Sequence, residues 1–587
     1  MGMSTLHGFR GLRLFGVVAT ATVTFVAVSA TPVFAAVNAT VQVMSPGNVR
    51  FTAGDGQANA LHVTANGRVV IFDDVVPVVA GKGCAAVAND STKATCDSGV
   101  TPVALGIVVY AMDGDDTVTN DSAYGMLAYG NQGVDTLTGS IGGADRLVGE
   151  WADDMLVGRG GADTLDGGDG ADKVYGHDGN DTVAGGDGLD FVSGGNGDDV
   201  VNGGPGNDTV RGDAGADTIN GDGGLDQAYG DADNDMVDGG DGDDRVEGGV
   251  GDDQLRELGT GNDRVYGGDG NDYISAGDGD DLVDGGFGAD SMFGGMGRNT
   301  LSYASRTNPV SVTYGNRDHK VDQGEAGEWD TFSFSDFAVI EGGAGNDRLY
   351  GWEYEVELRG NAGDDAIGNI ENFTGIGGPG NDTIGGHDAC HLIGGEGDDI
   401  ITGGMRADLL EGGDGNDTIK GEDGVDVIDG GDGNDTIDGG VDGNTLRGGN
   451  GDDIIYSGYS GEVLDGGAGR DMARYDWNHS GPVTVDLDNV TGDDGTPGEG
   501  DSLIDIEDLY GSSGNDVLTG NDGDNQIFGG KGQDQLFGLG GDDHLVGGTA
   551  ADGADALDGG DNRTETGDTC LLGPSGGNTV NCENAAR

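Results

Sequence analysis

Residues 194–210 read GGNGDDVVNGGPGNDTV. The Gly-Gly pair returns after nine residues, and so does the aspartate four residues behind it. Taking the aspartate of GGxGxD as a marker gives Asp145, Asp154, Asp163, Asp172, Asp181, Asp190, Asp199, Asp208, Asp217, Asp226, Asp235, Asp244 and Asp253, every interval nine. One inserted residue shifts the register, which resumes at Asp263, Asp272, Asp281 and Asp290. Two residues after each marker stands an apolar side chain, among them Leu147, Leu165, Val183, Val201, Ile219, Val237, Leu255, Ile274 and Val283. Ala228 and Met292 are the weakest members, and neither is polar. A disordered chain has no reason to hold an apolar residue in phase for so long.

Composition alone would have suggested disorder. The chain has 587 residues, 126 of them Gly, and 107 acidic side chains against 27 Lys and Arg, a formal charge of −80. Few charges are balanced, and a chain so acidic repels nucleic acid. Gly does not recur every third residue, which excludes a collagen triple helix. A cationic partner is implied, and a metal ion is the simplest.

Each nine-residue unit has a physical reading. Glycine reaches backbone angles closed to other residues, so GGxGxD is a turn. The three residues behind it, such as Asp199-Val200-Val201, suffice for a short strand whose alternate side chains face opposite ways. Two units make an 18-residue coil, and stacked coils make an all-β parallel solenoid with the apolar residues inside. Markers on one side then stack at ~4.8 Å, where two carboxylates repel by about 3 kcal/mol at an effective dielectric of 20. A hard divalent cation between coils reverses that sign. Carboxylate and carbonyl oxygens favour Ca²⁺; Zn²⁺ would want Cys or His, and Mg²⁺ keeps its waters.

The units GGPGNDTVR (203–211) and GGDGADKVY (167–175) resemble the RTX calcium-binding nonapeptide GGxGxDxUx. The resemblance covers most of residues 113–560. It implies a β-roll, multiple Ca²⁺ ions held between coils by the marker aspartates and turn carbonyls, a secreted bacterial protein, and folding in calcium-rich surroundings. The first tract is 113–297. A second, 342–471, carries Asp347, Asp365, Asp382, Asp399, Asp408, Asp417, Asp426, Asp435 and Asp453, with Asp471 closing it. There Cys390 and Asn444 stand where the register expects an aspartate, and Cys390 reads as a lost ligand. The third, 511–560, holds Asp516, Asn525, Asp534 and Asp543. Residues 298–341 and 472–510 break the period with alternating runs such as Val483-Thr484-Val485-Asp486-Leu487, and look like β-hairpin spacers; a ligand-binding insertion is the alternative.

The ends differ in texture. His7, Arg10 and Arg13, the apolar run Leu14–Ala30 and the small residues around Ala35 read as a cleaved signal peptide, 1–36, rather than a membrane anchor. An N-terminal signal departs from RTX proteins exported by a C-terminal one. Residues 37–112, rich in β-formers, and 561–587 read as caps that cover the open sheet edges of the solenoid. In an exported chain Cys84–Cys96 and Cys570–Cys582, each 12 apart, read as local disulfides; four free thiols are the alternative.

Catalytic patterns are sparse. There is no HExxH, the GxGxxG patterns arise from the repeat and carry no nucleotide signal, and Gly573-Pro574-Ser575-Gly576-Gly577 has no strand–turn–helix context. The expectation is a secreted, non-catalytic calcium-binding roll, structural or adhesive at a cell surface or matrix, with no nucleic-acid partner and no membrane span once the signal is removed. Two rivals remain. One is an extracellular enzyme acting on polysaccharide, for which Trp329, Trp352 and Trp477 would have to line a groove; packing in the spacers or core would explain them more simply. The other is a calcium buffer with no partner.

Overall fold

A computed structural model describes residues 38–100, 106–256, 259–314, 323–333, 335–351, 356–370, 374–548, 554–561, 567–574 and 576–586. The signal segment and Trp352 lie outside them. The described chain is β-strand and turn, without a helix.

The nine-residue period becomes geometry directly. Successive units fall alternately on two parallel ladders, so residues pair at a separation of eighteen. On one face Leu147 pairs with Leu165, Leu165 with Val183, Val183 with Val201 and Val201 with Ile219. On the other, Leu156, Val174, Val192, Val210 and Ala228 pair in the same way. All ten are at most 1% exposed and belong to one apolar core that runs the length of the stack. The residues beside them alternate outward, as strand geometry requires.

Both spacers contain the antiparallel pairing read from sequence, Val310–Tyr314 with Gly324–Glu325 and Thr491–Asp494 with Asp501–Ile504. The stack nevertheless continues through each of them. At the first, one ladder ends where Ser291–Phe293 pairs with Thr331–Phe332, and a new one starts where Val310–Tyr314 pairs with Arg348–Gly351. The opposite ladder passes without a break, Leu301 against Ile340. At the second, that surviving ladder ends at Leu464 against Leu503, another starts at Val485 against Leu518, and the ladder begun at the first spacer carries on through Ala473 and Leu509. Each spacer replaces one face of the roll while the other holds the register.

The two splices are variants of one plan. "YASRTNPVSV" (303–312) and "GEAGEWDTF" (324–332) answer to "YDWNHSGPVTV" (475–485) and "GTPGEGDSL" (495–503). Tyr303 donates to Asp330 Oδ2 and Tyr475 to Asp501 Oδ2, both at 3.1 Å. A buried basic side chain faces the corresponding glutamate of each: Arg306 Nη2 lies 3.4 Å from Glu328, and His479 Nε2 lies 2.8 Å from Glu499. Arg306 also packs 4.2 Å over the Phe287 ring.

At the N-terminal end, Val49–Thr52 pairs with Ile107–Tyr110 and Ala60–Val63 with Thr117–Asn120, so residues 39–97 stack on the first coil. The antiparallel strands 69–73, 84–87 and 90–97 fold beside it. Cys84–Cys96 and Cys570–Cys582 are both bonded, and Cys390 is free and buried. At the other end, Gly577–Val580 and Asn584–Ala586 are the last rungs of their ladders.

Candidate metal-binding ladders

Every marker aspartate named above is at most 4% exposed. Its Oδ1 has a fixed task, to accept the backbone N–H of the marker one coil earlier. Asp145 donates to Asp163, Asp163 to Asp181, Asp181 to Asp199 and Asp199 to Asp217, each at 2.7 Å. The other edge runs Asp154, Asp172, Asp190, Asp208, Asp226 at 2.7–2.8 Å. The second tract repeats this from Asp347 through Asp365, Asp382, Asp399, Asp417, Asp435 and Asp453 to Asp471. In the third, Asp516 donates to Asp534 and Asn525 to Asp543.

The second oxygen is different. Among the described residues, Oδ2 of Asp154, Asp163, Asp172, Asp181, Asp190, Asp199, Asp208, Asp217, Asp226, Asp235, Asp244 and Asp253 is buried and accepts no hydrogen bond. The same holds for Asp272, Asp281, Asp290, Asp365, Asp382, Asp399, Asp417, Asp426, Asp435 and Asp453. Buried polar atoms seldom go unpaired, so a whole row points to a missing partner. The first glycine of each turn shows where. A Cβ on Gly203 would stand 2.8 Å from Asp208 Oδ2 and 2.9 Å from the Gly221 carbonyl oxygen of the next coil. Two oxygens of successive coils thus face a spot that only a glycine leaves open. The next glycine, Gly204, has φ +103°, which turns the chain so that the carbonyl can point there.

An all-oxygen donor set of this kind fits a hard cation. Among the described residues no three His, Cys, Asp or Glu side chains converge on one point. Carbonyl oxygens must therefore supply much of any coordination, as the turn glycines allow.

Electrostatics point the same way. Burial is the largest influence on these carboxyls, ahead of the repulsion between ladder neighbours that rung spacing predicts. It raises Asp154, Asp235 and Asp290 to about 8, and Asp163, Asp199 and Asp226 to about 7, although each accepts a backbone hydrogen bond that pulls the other way. Asp208 is held at about 6 for the same reasons.

Not every marker is alike. At Asp145, Asp347, Asp408 and Asp516, Oδ2 is taken by a nearby backbone N–H, from Ser140, Gly343, Gly404 and Ser512. Asp263, Asp534 and Asp543 are buried in register with the rest. Cys390 does occupy the marker position: its N–H and its Sγ both meet Asp408 Oδ1, and burial raises the thiol far above its ordinary range. Asn444 keeps the Oδ1 contact, accepting from Asp426 at 2.8 Å.

The ladders also include acids that the GGxGxD markers do not name. Asp116 donates to Asp135 and Asp135 to Asp154, both at 2.7 Å. Asp290 donates to Asp330, Glu462 to Asp501 and Asp543 to Asp568. The signal was present as Asp-Thr-apolar or Asp-Ser-apolar in "DTV" 116–118, "DTL" 135–137, "DTF" 330–332 and "DSL" 501–503, without the Gly-Gly in front. Trp329 and Trp477 are surface residues, 57% and 72% exposed, and neither is packed in the core. Among the described residues no helix is long and apolar enough to cross a membrane.

No curated protein matches the chain. The family model of the RTX calcium-binding nonapeptide repeat matches residues 129–255, 258–301, 341–367, 391–473 and 505–554, more than half of the sequence. With its ladders of buried aspartates on a parallel β-roll, the chain belongs to the RTX calcium-binding nonapeptide repeat family and is a calcium-binding repeat protein.

Proposed function

We propose that this is a secreted, non-catalytic scaffold whose roll folds when Ca²⁺ fills the ladders outside the cell, and that it serves a structural or adhesive role at the surface or in the matrix. The observation that carries the reading is the row of buried Oδ2 atoms facing glycine carbonyls. Without a cation those carboxyls must be buried charged, or protonated, at each coil. Bound Ca²⁺ supplies positive charge and oxygen coordination between coils, which makes binding energy into folding energy. The orphan rows run through the first and second tracts, so several ions are taken up. The net charge of −80 then keeps the metal-free chain expanded. Two disulfides suit an oxidising compartment.

The test is far-UV circular dichroism during a Ca²⁺ titration, with Mg²⁺ in parallel. A steep rise in β signal with Ca²⁺ alone is the expected result. A chain already fully β in chelator, and unmoved by Ca²⁺, would overturn the reading.

A further inference from the structure

Trp477 belongs to the turn that follows Met472–Arg474, yet it reaches back over earlier coils. With Tyr456, Thr418, Thr436, Lys420 and Asp438 it lines an open cavity of about 160 Å³ on the outer face of the roll. We propose that this cavity binds one ring of a neutral polysaccharide. The proposal gives the adhesive part of the function above a ligand and rests on that part alone.

The chemistry of the lining selects the ligand. Trp477 is 72% exposed, so a large aromatic face stands in water where a chain folded for stability alone would bury it. Below it Thr418 pairs with Thr436 and Lys420 with Asp438 across neighbouring rungs, which sets two hydroxyls, an ammonium donor and a carboxylate acceptor in one small area. A pyranose ring has this dual character: an apolar C–H face to lie on the indole, and hydroxyls at its rim that donate and accept. The cavity holds about five water volumes, room for one such ring rather than for a folded partner. An anionic polymer would meet the field of an acidic protein, so the ligand is neutral.

The surface also continues along the roll. Arg474 lies 5.3 Å over Tyr456 and 4.5 Å over Tyr510, and Tyr510 stacks on Phe528 at 5.6 Å. These residues sit on successive rungs of one ladder, ~4.8 Å apart. That spacing is close to the length of one sugar ring in an extended chain, so a polysaccharide seated under Trp477 can run along the track.

The experiment is calorimetric titration of the Ca²⁺-loaded chain with cellohexaose, maltohexaose and mannohexaose, with circular dichroism recorded for every variant. At least one hexasaccharide should bind, with Trp477→Ala and Tyr456→Ala each weakening it tenfold or more and Trp329→Ala leaving it unchanged. No heat with any of the three, or the same affinity in Trp477→Ala, overturns the proposal. Circular dichroism reads the calcium-driven fold separately, so loss of folding and loss of the sugar site are told apart.

Discussion

Replacing Asp208 by Asn separates the two tasks of a ladder aspartate. Its Oδ1 accepts the Asp190 N–H at 2.8 Å, and an amide oxygen does this equally well, as Asn299 does for Asp281 at 2.9 Å. Its Oδ2 carries charge into a buried spot without a hydrogen bond. Burial first, and the neighbouring Asp190 carboxylate after it, hold this acid at about 6, from an ordinary 3.8, against the hydrogen bond donated by the Asp190 backbone N–H. In the metal-free roll the folded state binds a proton that the unfolded state has lost between those values. The associated stability is therefore complete below pH 4 and gone above about 6. At pH 7.5 the wild-type coil lacks up to about 3 kcal/mol that Asp208→Asn recovers. In chelator at that pH, hydrogen exchange in peptides spanning residues 185–215 should be up to about 100-fold slower in the variant. Below pH 4 the two should agree. With saturating Ca²⁺ the order should invert, because the amide brings no charge to the cation. Asp208→Ala also removes the charge but strands the Asp190 N–H, so it should be about 1–3 kcal/mol less stable than Asp208→Asn in both conditions. If Asp208→Asn is the weaker protein in chelator at pH 7.5, or responds to Ca²⁺ as the wild type does, the two oxygens do not divide the labour in this way.

Acid alone should build part of the roll: in chelator, the β signal should rise as the pH is lowered from 8 to 5, since burial raises Asp154, Asp235 and Asp290 to about 8 and Asp163 and Asp199 to about 7. A flat circular dichroism profile would contradict this. Gly204→Ala puts a Cβ against the Gly186 carbonyl at φ +103° and should cost about 1–3 kcal/mol, seen as a higher Ca²⁺ midpoint, whereas Gly223→Ala, 3.9 Å from its nearest neighbour, should leave the midpoint within a few tenths of a kcal/mol. Arg306→Met removes the buried base that faces Glu325 and Glu328 and should destabilise the first splice by about 3–5 kcal/mol, read as faster hydrogen exchange in residues 299–351 with little change around 185–215. Val201→Ala should cost about 2 kcal/mol by the same local readout, because its side chain is 1% exposed in a close-packed row.

The roll and its core were legible because both depend on separations of nine and eighteen, which survive as spacing in the chain. Marker aspartates could be named one by one for the same reason. The splices could not. Tyr303 meets Asp330 across 27 residues and Asp290 meets Asp330 across 40, and no fixed period announces such contacts. The hairpins inside them were visible as alternating runs, yet nothing local tells that one ladder stops while its opposite number passes through. The dominant cause of the raised carboxyl pKa values was out of reach of the sequence for a related reason. Repulsion follows from rung spacing alone, whereas desolvation depends on how completely the turns close over each side chain. Trp477 was noticed, but the coils it overhangs precede it by 21 to 59 residues, a distance that only the three-dimensional stack makes short.

Exceptions to the ladder show what an aspartate does there. Asn299 and Asn444 keep the Oδ1 contact with the preceding coil, so the amide preserves the register while giving up the charge. Both stand near a change in the roll. Asn299 lies at the first splice, and Asn444 passes its own amide hydrogen to Glu462, whose N–H reaches Asp501 of the second. Cys390 gives up both, and there the Asp408 opposite has its Oδ2 bound to the Gly404 N–H instead of left bare. Where charge in the ladder is lost, or a tract begins as at Asp145, Asp347 and Asp516, local hydrogen bonds replace the cation's part. Along most of the runs where aspartates continue on both sides, the second oxygen is left without a protein partner. A chain that needed only backbone register could have used asparagine throughout, at no electrostatic cost. That it keeps the acid through long runs, in a setting where burial opposes every charge, is the physical argument that the ladders exist to hold metal.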